Sequence, residues 1–152
     1  VSGAVAAMRQ REIEGGYTQL AMYQAFAERV AETKRQLLEF LIRAKRAGKC
    51  VAAYGAPGKG NTLLNYCGIG TDFLDFTVDR NPYKHGRYTP GMHIPIRTVD
   101  AIDKTKPDYL FILPWNLKKE IVAQMRHVGE WGCKFIVPIP QVEVLDPRDL
   151  AP

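Results

Sequence analysis

The residues best placed to do chemistry lie in one stretch, Tyr54-Gly55-Ala56-Pro57-Gly58-Lys59-Gly60-Asn61-Thr62. Glycines let a backbone approach a phosphate closely, and the free N–H groups of a helix start can donate to it. Lys59 adds a cation that favours an anionic ligand. The stretch is not a Walker loop, which needs Gly at 53 and Ser or Thr at 60 where this chain has Ala53 and Gly60. Nor is it the standard dinucleotide order, because Gly55, Gly58 and Gly60 run G-x-x-G-x-G. A turn of this kind also serves simply to let a helix pack closely on a strand.

Two further groups bear on the same chemistry. Asp79 follows Gly55 by 24 residues, near the spacing of the acid that bonds a ribose hydroxyl in dinucleotide folds. The alternative is an Asx turn or cap for Asn81-Pro82, and the two readings stand side by side. Arg80, next in sequence, would favour an additional phosphate. Leu113-Pro114-Trp115-Asn116 closes an apolar run. There Trp115 could stack on a base or sugar and Asn116 could bond a ligand. Alternatively Trp115 fills the core and Asn116 caps a helix. His85, His93 and His127 have no ligand-spaced partners, so no metal site is expected. No Gly-x-Ser-x-Gly elbow occurs, which disfavours a hydrolase of that type.

The elements that must position these residues alternate in character. Residues 1–16 end in Gly15-Gly16 and read as a linker or loosely attached helix from a preceding domain. Residues 17–152 read as one domain. From Tyr17 a helical period takes over, with Leu20, Tyr23, Phe26, Val30, Leu37, Leu41 and Ala44 on one stripe. That stripe is expected to pack into the core, and Gly48 to stop the helix. Strands are expected over residues 50–54, 73–79, 108–113 and 134–138, with a possible short strand at 94–96. Helices are expected over about 61–67 and 117–130, the latter with Ile121, Met125 and Val128 inward. Apolar strands separated by helices predict an α/β fold: a Rossmann-like, doubly wound, mostly parallel sheet flanked by helices, with a long N-terminal helix.

Composition sets the outer limits. The chain has 152 residues, 46% hydrophobic and 24% charged, which fits an ordinary globular domain and excludes a mostly disordered one. No apolar run nears the roughly 20 residues of a membrane span. The first residues, Val1-Ser2-Gly3-Ala4, carry no signal pattern and are expected to be a cut end. Cys50, Cys67 and Cys133 form no CxxC pair, so free thiols and a reducing cytoplasm are expected. The net charge is +5. Residues 80–97 hold Arg80, Lys84, Arg87 and Arg97 and no acid. Such a loop attracts anions, although taken alone it reads as a solvated face.

Three segments together resemble a known family. They are Gly48 to Asn65, Val78 to Gly91 continuing to Ile96, and Leu113-Pro114-Trp115-Asn116 leading to Gly132–Pro138. In this order they resemble the C-terminal domain of SAM-dependent C-methyltransferases acting on nucleotide-linked keto-sugars, over about residues 17–144. The resemblance implies three parts: a zinc-binding N-terminal region, a SAM-binding domain, then this Rossmann-like domain. It implies a cytoplasmic enzyme that removes a proton beside the sugar's keto group and transfers a methyl group from SAM to that carbon. The developing enolate then needs electrostatic support. The zinc, the SAM and the acid–base residues would lie outside this chain, which is expected to be inactive alone and to carry no catalytic residue. Its partners would be an NDP-sugar, a dTDP-linked one among the candidates, and the preceding domain, with no nucleic acid or membrane. The implied nucleotide-sugar-binding residues are Gly55, Ala56, Gly58, Lys59, Asn61, Asp79, Asn81, Lys84, Trp115 and Asn116. His85 and Met92 depart from the family, where Gln and Thr are expected, which leaves the sugar and the base open.

Two other readings compete. An NAD(P)-type oxidoreductase domain is suggested by the fold and by Asp79-Arg80, against the glycine order. A non-catalytic nucleic-acid or interaction module is suggested by a pI near 9.2. The basic stretch, however, has no recognition helix and only Tyr83 and Tyr88 as aromatics. The long helix could pack against the absent domain or a second copy.

Overall fold

The computed structural model describes residues 2–149. They divide into two compact units at Glu32/Thr33, a boundary that falls inside the second helix.

The first unit holds α1 (Gly3–Glu14), in which no residue is buried, and the start of α2 (Leu20–Arg46). Here the expectation of a continuous core stripe is corrected. Leu20, Tyr23 and Phe26 are 72%, 57% and 58% exposed, whereas Leu37, Leu41 and Ala44 in the second unit are buried. The period marks one helix face, but only its C-terminal third is covered by described residues.

In the second unit six strands form one sheet. They are β1 (Val51–Tyr54), β2 (Thr77–Val78), β3 (Ile96–Arg97), β4 (Tyr109–Ile112), β5 (Lys134–Val137) and β6 (Glu143–Leu145). The order is β3-β2-β1-β4-β5-β6, parallel except for β6, which runs antiparallel to β5. This is the Rossmann-like doubly wound order, with its topological switch between β1 and β4. Every residue of β1 is buried, because its two faces meet different cores. Val51 and Ala53 join Leu41, Leu64 and Phe111, while Ala52 and Tyr54 join Ile112, Ile121 and Phe135. The remaining helices are α3 (Gly58–Cys67), α4 (Ala101–Thr105) and α5 (Lys118–Gln124). Gly48 ends α2 as expected: its φ is +69°, and the Lys49 N–H bonds back to the Ala44 carbonyl at 3.0 Å.

Several boundaries differ from the sequence reading. The strand expected over 73–79 shrinks to two residues, because Phe73 and Leu74 turn back to bond the Gly70 carbonyl. The helix expected over 117–130 is α5 followed by a tighter 3-10 stretch, Arg126–Trp131. Gly129 lies against Pro147 there, where an added Cβ would come within 3.1 Å of the proline ring. The short strand lies at 96–97 rather than 94–96. Helix α4 and strand β6 carried no clear period and were not anticipated. Burial pushes the Cys50 and Cys133 thiols up to about 11 and about 12, and no described helix is long and apolar enough to cross a membrane.

The two outer glycines of the turn are packing residues. Gly55 has φ +86°, and a Cβ there would sit 2.8 Å from Pro114. A Cβ on Gly60 would sit 2.8 Å from that of Leu113. Gly58, by contrast, is helical and has open space around it. Gly55→Ala is therefore expected to destabilise the fold by about 2–4 kcal/mol, combining left-handed strain with crowding. Gly58→Ala is expected to be neutral or stabilising by up to about 1 kcal/mol. Urea unfolding of the two variants separates these outcomes, and equal losses would contradict the packing assignment.

Candidate functional site

All ten residues singled out from the sequence lie beyond the carboxyl ends of β1, β2 and β4, the edge where open α/β sheets bind ligands. They sort into two groups, with Gly58 and Asn61 on α3 bonded within that helix, to Thr62 and Asn65, rather than to either group.

The first group is organised by Asp79. Its Oδ2 accepts from the Ala56 N–H at 2.8 Å and from Lys84 Nζ at 2.8 Å. Its Oδ1 accepts from the Asn81 N–H at 2.8 Å. Lys84 Nζ donates a second bond to the Ala56 carbonyl at 3.1 Å. Asn81 continues the turn by accepting the Tyr83 N–H at 3.0 Å, and His85 Nε2 lies 2.7 Å from the Asp79 carbonyl. Of the two readings of Asp79, the Asx turn is the one formed here. The carboxylate locks the basic loop onto the exit of β1. Thr77 tightens the same joint by donating from Oγ1 to the Gly55 carbonyl at 2.7 Å.

The second group joins α3 to the turn after β4. Lys59 Nζ donates to Asn116 Oδ1 and lies 4.9 Å from the centre of the Trp115 ring. Asn116 is thus no helix cap. It sits in a 3-10 turn, Trp115–Leu117, and α5 starts at Lys118 without a side-chain cap. Trp115 is half-buried against the second core, with Lys59 Nζ over its ring.

Helix α3 begins at Gly58, three residues earlier than the period suggested, and no side chain caps its first turn. Lys59 therefore lies in the first turn, where unsatisfied N–H groups favour an anion. Two cavities adjoin the turn that leads into α3. One of about 200 Å³ occupies the switch between β1 and β4, against Tyr54, Asp79, Arg80, Pro114, Glu120 and Gln124. The other, about 220 Å³, lies between α3 and the basic loop, against Asn61, Leu64, Arg87, Tyr88 and Leu113. Ala56 and Lys84 line both. Arg87 and Tyr88 escaped the sequence reading as individual site residues, although the acid-free run 80–97 contains them. Glu120 and Gln124 gave no signal beyond lying on a helix.

Burial alone would push the Asp79 carboxyl up. Hydrogen bonds from Lys84 and from the Asn81 and Ala56 N–H groups outweigh it and hold the carboxyl below the ordinary aspartate value. A carboxyl lowered in the folded state stabilises the fold above its unfolded value, about 3.9. That contribution is lost as pH falls below this value through the folded one. Asp79→Asn is expected to cost about 1.5–3 kcal/mol at pH 7, with the gap to wild type narrowing at pH 3. Urea titrations at both pH values check this, and an undiminished gap at pH 3 would refute the ion-pair account.

Comparison with known proteins narrows the choice. Residues 1–140 match the C-methyltransferase C-terminal domain family. The chain is 37% identical over 145 residues to C-methyltransferase NovU of Streptomyces niveus, covering 95% of this chain and 34% of that protein. It thus spans about a third of that relative's length. Among solved structures, UDP-D-quinovosamine 4-dehydrogenase from Vibrio fischeri aligns with a TM-score of 0.44 and 19% identity, covering 64% of this chain and 93% of that one.

Proposed function

This chain belongs to the C-methyltransferase C-terminal domain family, and from that premise we propose that it is the nucleotide-sugar-binding part of a SAM-dependent enzyme that methylates carbon on an NDP-linked keto-sugar. One observation carries the proposal. At the carboxyl edge of the sheet an uncapped helix start, with open space at Gly58 and with Lys59 in its first turn, follows Ala56, which with Lys84 lines two cavities. A diphosphate placed there would meet backbone N–H groups of α3 and the Lys59 ammonium. Lys84 spends two of its three hydrogens on Asp79 and Ala56, leaving one for a phosphate oxygen.

In this reading the chain holds the substrate and leaves the chemistry to the rest of the protein. S-adenosylmethionine and the structural zinc would be bound by other segments of the longer protein, as would the base that removes the proton beside the keto group. The contribution of these residues is orientation, which counts because a misplaced carbon slows transfer steeply. The rival dinucleotide reading is weakened by Asp79. Both of its oxygens already accept hydrogen bonds from the protein, which leaves little capacity for two ribose hydroxyls.

The test is thermal stabilisation of this chain by dTDP, an NDP-hexose, S-adenosylmethionine and NADH, since a ligand stabilises the state that binds it. Stabilisation by dTDP or the NDP-hexose, and not by the other two, is expected. A shift with S-adenosylmethionine or NADH instead would overturn the assignment. Lys59→Ala is expected to weaken dTDP roughly three- to tenfold while leaving thymidine nearly unaffected, as loss of one charge-assisted contact implies. Its cost to stability is expected to stay under about 1 kcal/mol, because the Asn116 bond is exposed.

A further inference from the structure

The two lysines of the site are held in different ways. Lys84 Nζ is bonded to Asp79 and to the Ala56 carbonyl, and the side chain still lines both cavities. Lys59 lines neither. Its ammonium reaches from the first turn of α3 to the turn after β4, where it donates to Asn116 Oδ1 and lies 4.9 Å from the centre of the Trp115 ring. Asn116 and Trp115 stand outside both cavities as well. No carboxylate pairs with Lys59 among the described residues. The cation carried by the uncapped helix start is therefore drawn away from the space that an anion would enter, onto a neutral amide and a ring face.

Both contacts suit a temporary hold. An amide and an aromatic ring at an exposed site each attract an ammonium weakly, whereas a phosphate oxygen brings a full opposite charge. We propose that Asn116 is a positioning residue: it retains Lys59 over Trp115 while the site is empty, and an incoming phosphate takes the ammonium from it. The inference rests on the anion-site reading above, and it gives Asn116 a role opposite in sign to that of a ligand contact. Where only a fraction of the molecules has Lys59 free, the apparent affinity for the anion is lowered by that fraction. Cutting the hold then tightens binding. Cutting a ligand contact, or a contact that aims Lys59 at the ligand, would weaken it. Departure of Lys59 also uncovers the Trp115 ring, which makes its indole a reporter of the transfer.

The experiment is calorimetric titration of this chain with dTDP, in wild type, Asn116→Ala, Lys59→Ala and the double variant. Tryptophan emission is followed alongside, excited where thymine does not absorb. Asn116→Ala is expected to bind dTDP about two- to fivefold more tightly than wild type, the worth of one exposed contact to an ammonium. That gain is expected to vanish when Lys59 is already alanine, because Asn116 acts only through it. Saturating dTDP is expected to change the emission of wild type, and to change that of Lys59→Ala by less than about half as much, since the altered cation–ring contact is then missing. Trp131 is common to both proteins and cancels in the comparison. Weaker or unchanged binding by Asn116→Ala overturns the proposal, as does a gain that survives in the double variant or an emission change equal in the two proteins. If Lys59→Ala still weakens dTDP in those cases, the anion site stands and only the holding role of Asn116 falls. If dTDP does not bind wild type, both readings fall. Asn116 and Lys59 are exposed, so the variants are expected to fold and to melt close to wild type, and Asn116→Ser repeats the test with a second truncation.

Discussion

The carboxylate of Asp79 is the interaction on which the rest of this site depends. It stands where the turn leaving β1 meets the proline-punctuated basic loop after β2, just beyond the point where the two strands stop pairing. By accepting from the Ala56 N–H, the Asn81 N–H and Lys84 at once, it fixes the turn and starts the loop in one direction. Lys84 is then pinned across the Ala56 carbonyl, which makes it the partition between the two cavities. The far end of the loop is held separately, by the pairing of β2 with β3 and by the bond from Asn65 to the Pro90 carbonyl.

The anchor also reshapes the electrostatics. A sequence count gives residues 80–97 four positive charges and no negative one, yet Asp79, one position outside that window, neutralises Lys84 directly. Arg80 is drawn toward Glu120, 3.6 Å away. The attraction for an anion at the start of α3 therefore leans on Lys59, on the remaining hydrogen of Lys84 and on the helix terminus. Charge counted along the chain overstates the field because partners arrive from other elements.

Much of the fold was legible because its signals are local. The apolar runs at 51–54, 109–112 and 134–137 are short, bounded and buried on both faces, and such runs can hardly be anything but central parallel strands. The glycine at the end of α2 and the inward residues Ile121, Met125 and Val128 were equally plain. What stayed hidden depended on distant contacts. In the segment at 73–76 the Phe73 and Leu74 N–H groups turn back to the Gly70 carbonyl before Asp75 and Phe76 reach β1, so a turn decides its path. The end of the helix after Trp115 is tightened by the approach of Pro147 to Gly129. Strand β6 exists because β5 offers it an edge. For the site, residue types pointed to the right end of the sheet, but the division of labour among them is a matter of which atoms face one another.

The three glycines of the turn make that limit concrete. In sequence Gly55, Gly58 and Gly60 are equivalent, and each could open the backbone to a phosphate or to a neighbouring element. In space Gly55 and Gly60 are consumed by Pro114 and Leu113, and only Gly58 faces open volume. The long helix carries the same ambiguity on a larger scale. Leu20, Tyr23 and Phe26 continue the period of Leu37 and Leu41, yet the first three are exposed and the last two are fully buried. A periodic pattern states that a face is apolar, and a glycine states that a backbone is free. What each serves is decided by the surface brought against it. Of the three glycines, Gly58 is the one beside which the protein itself leaves a surface unfilled.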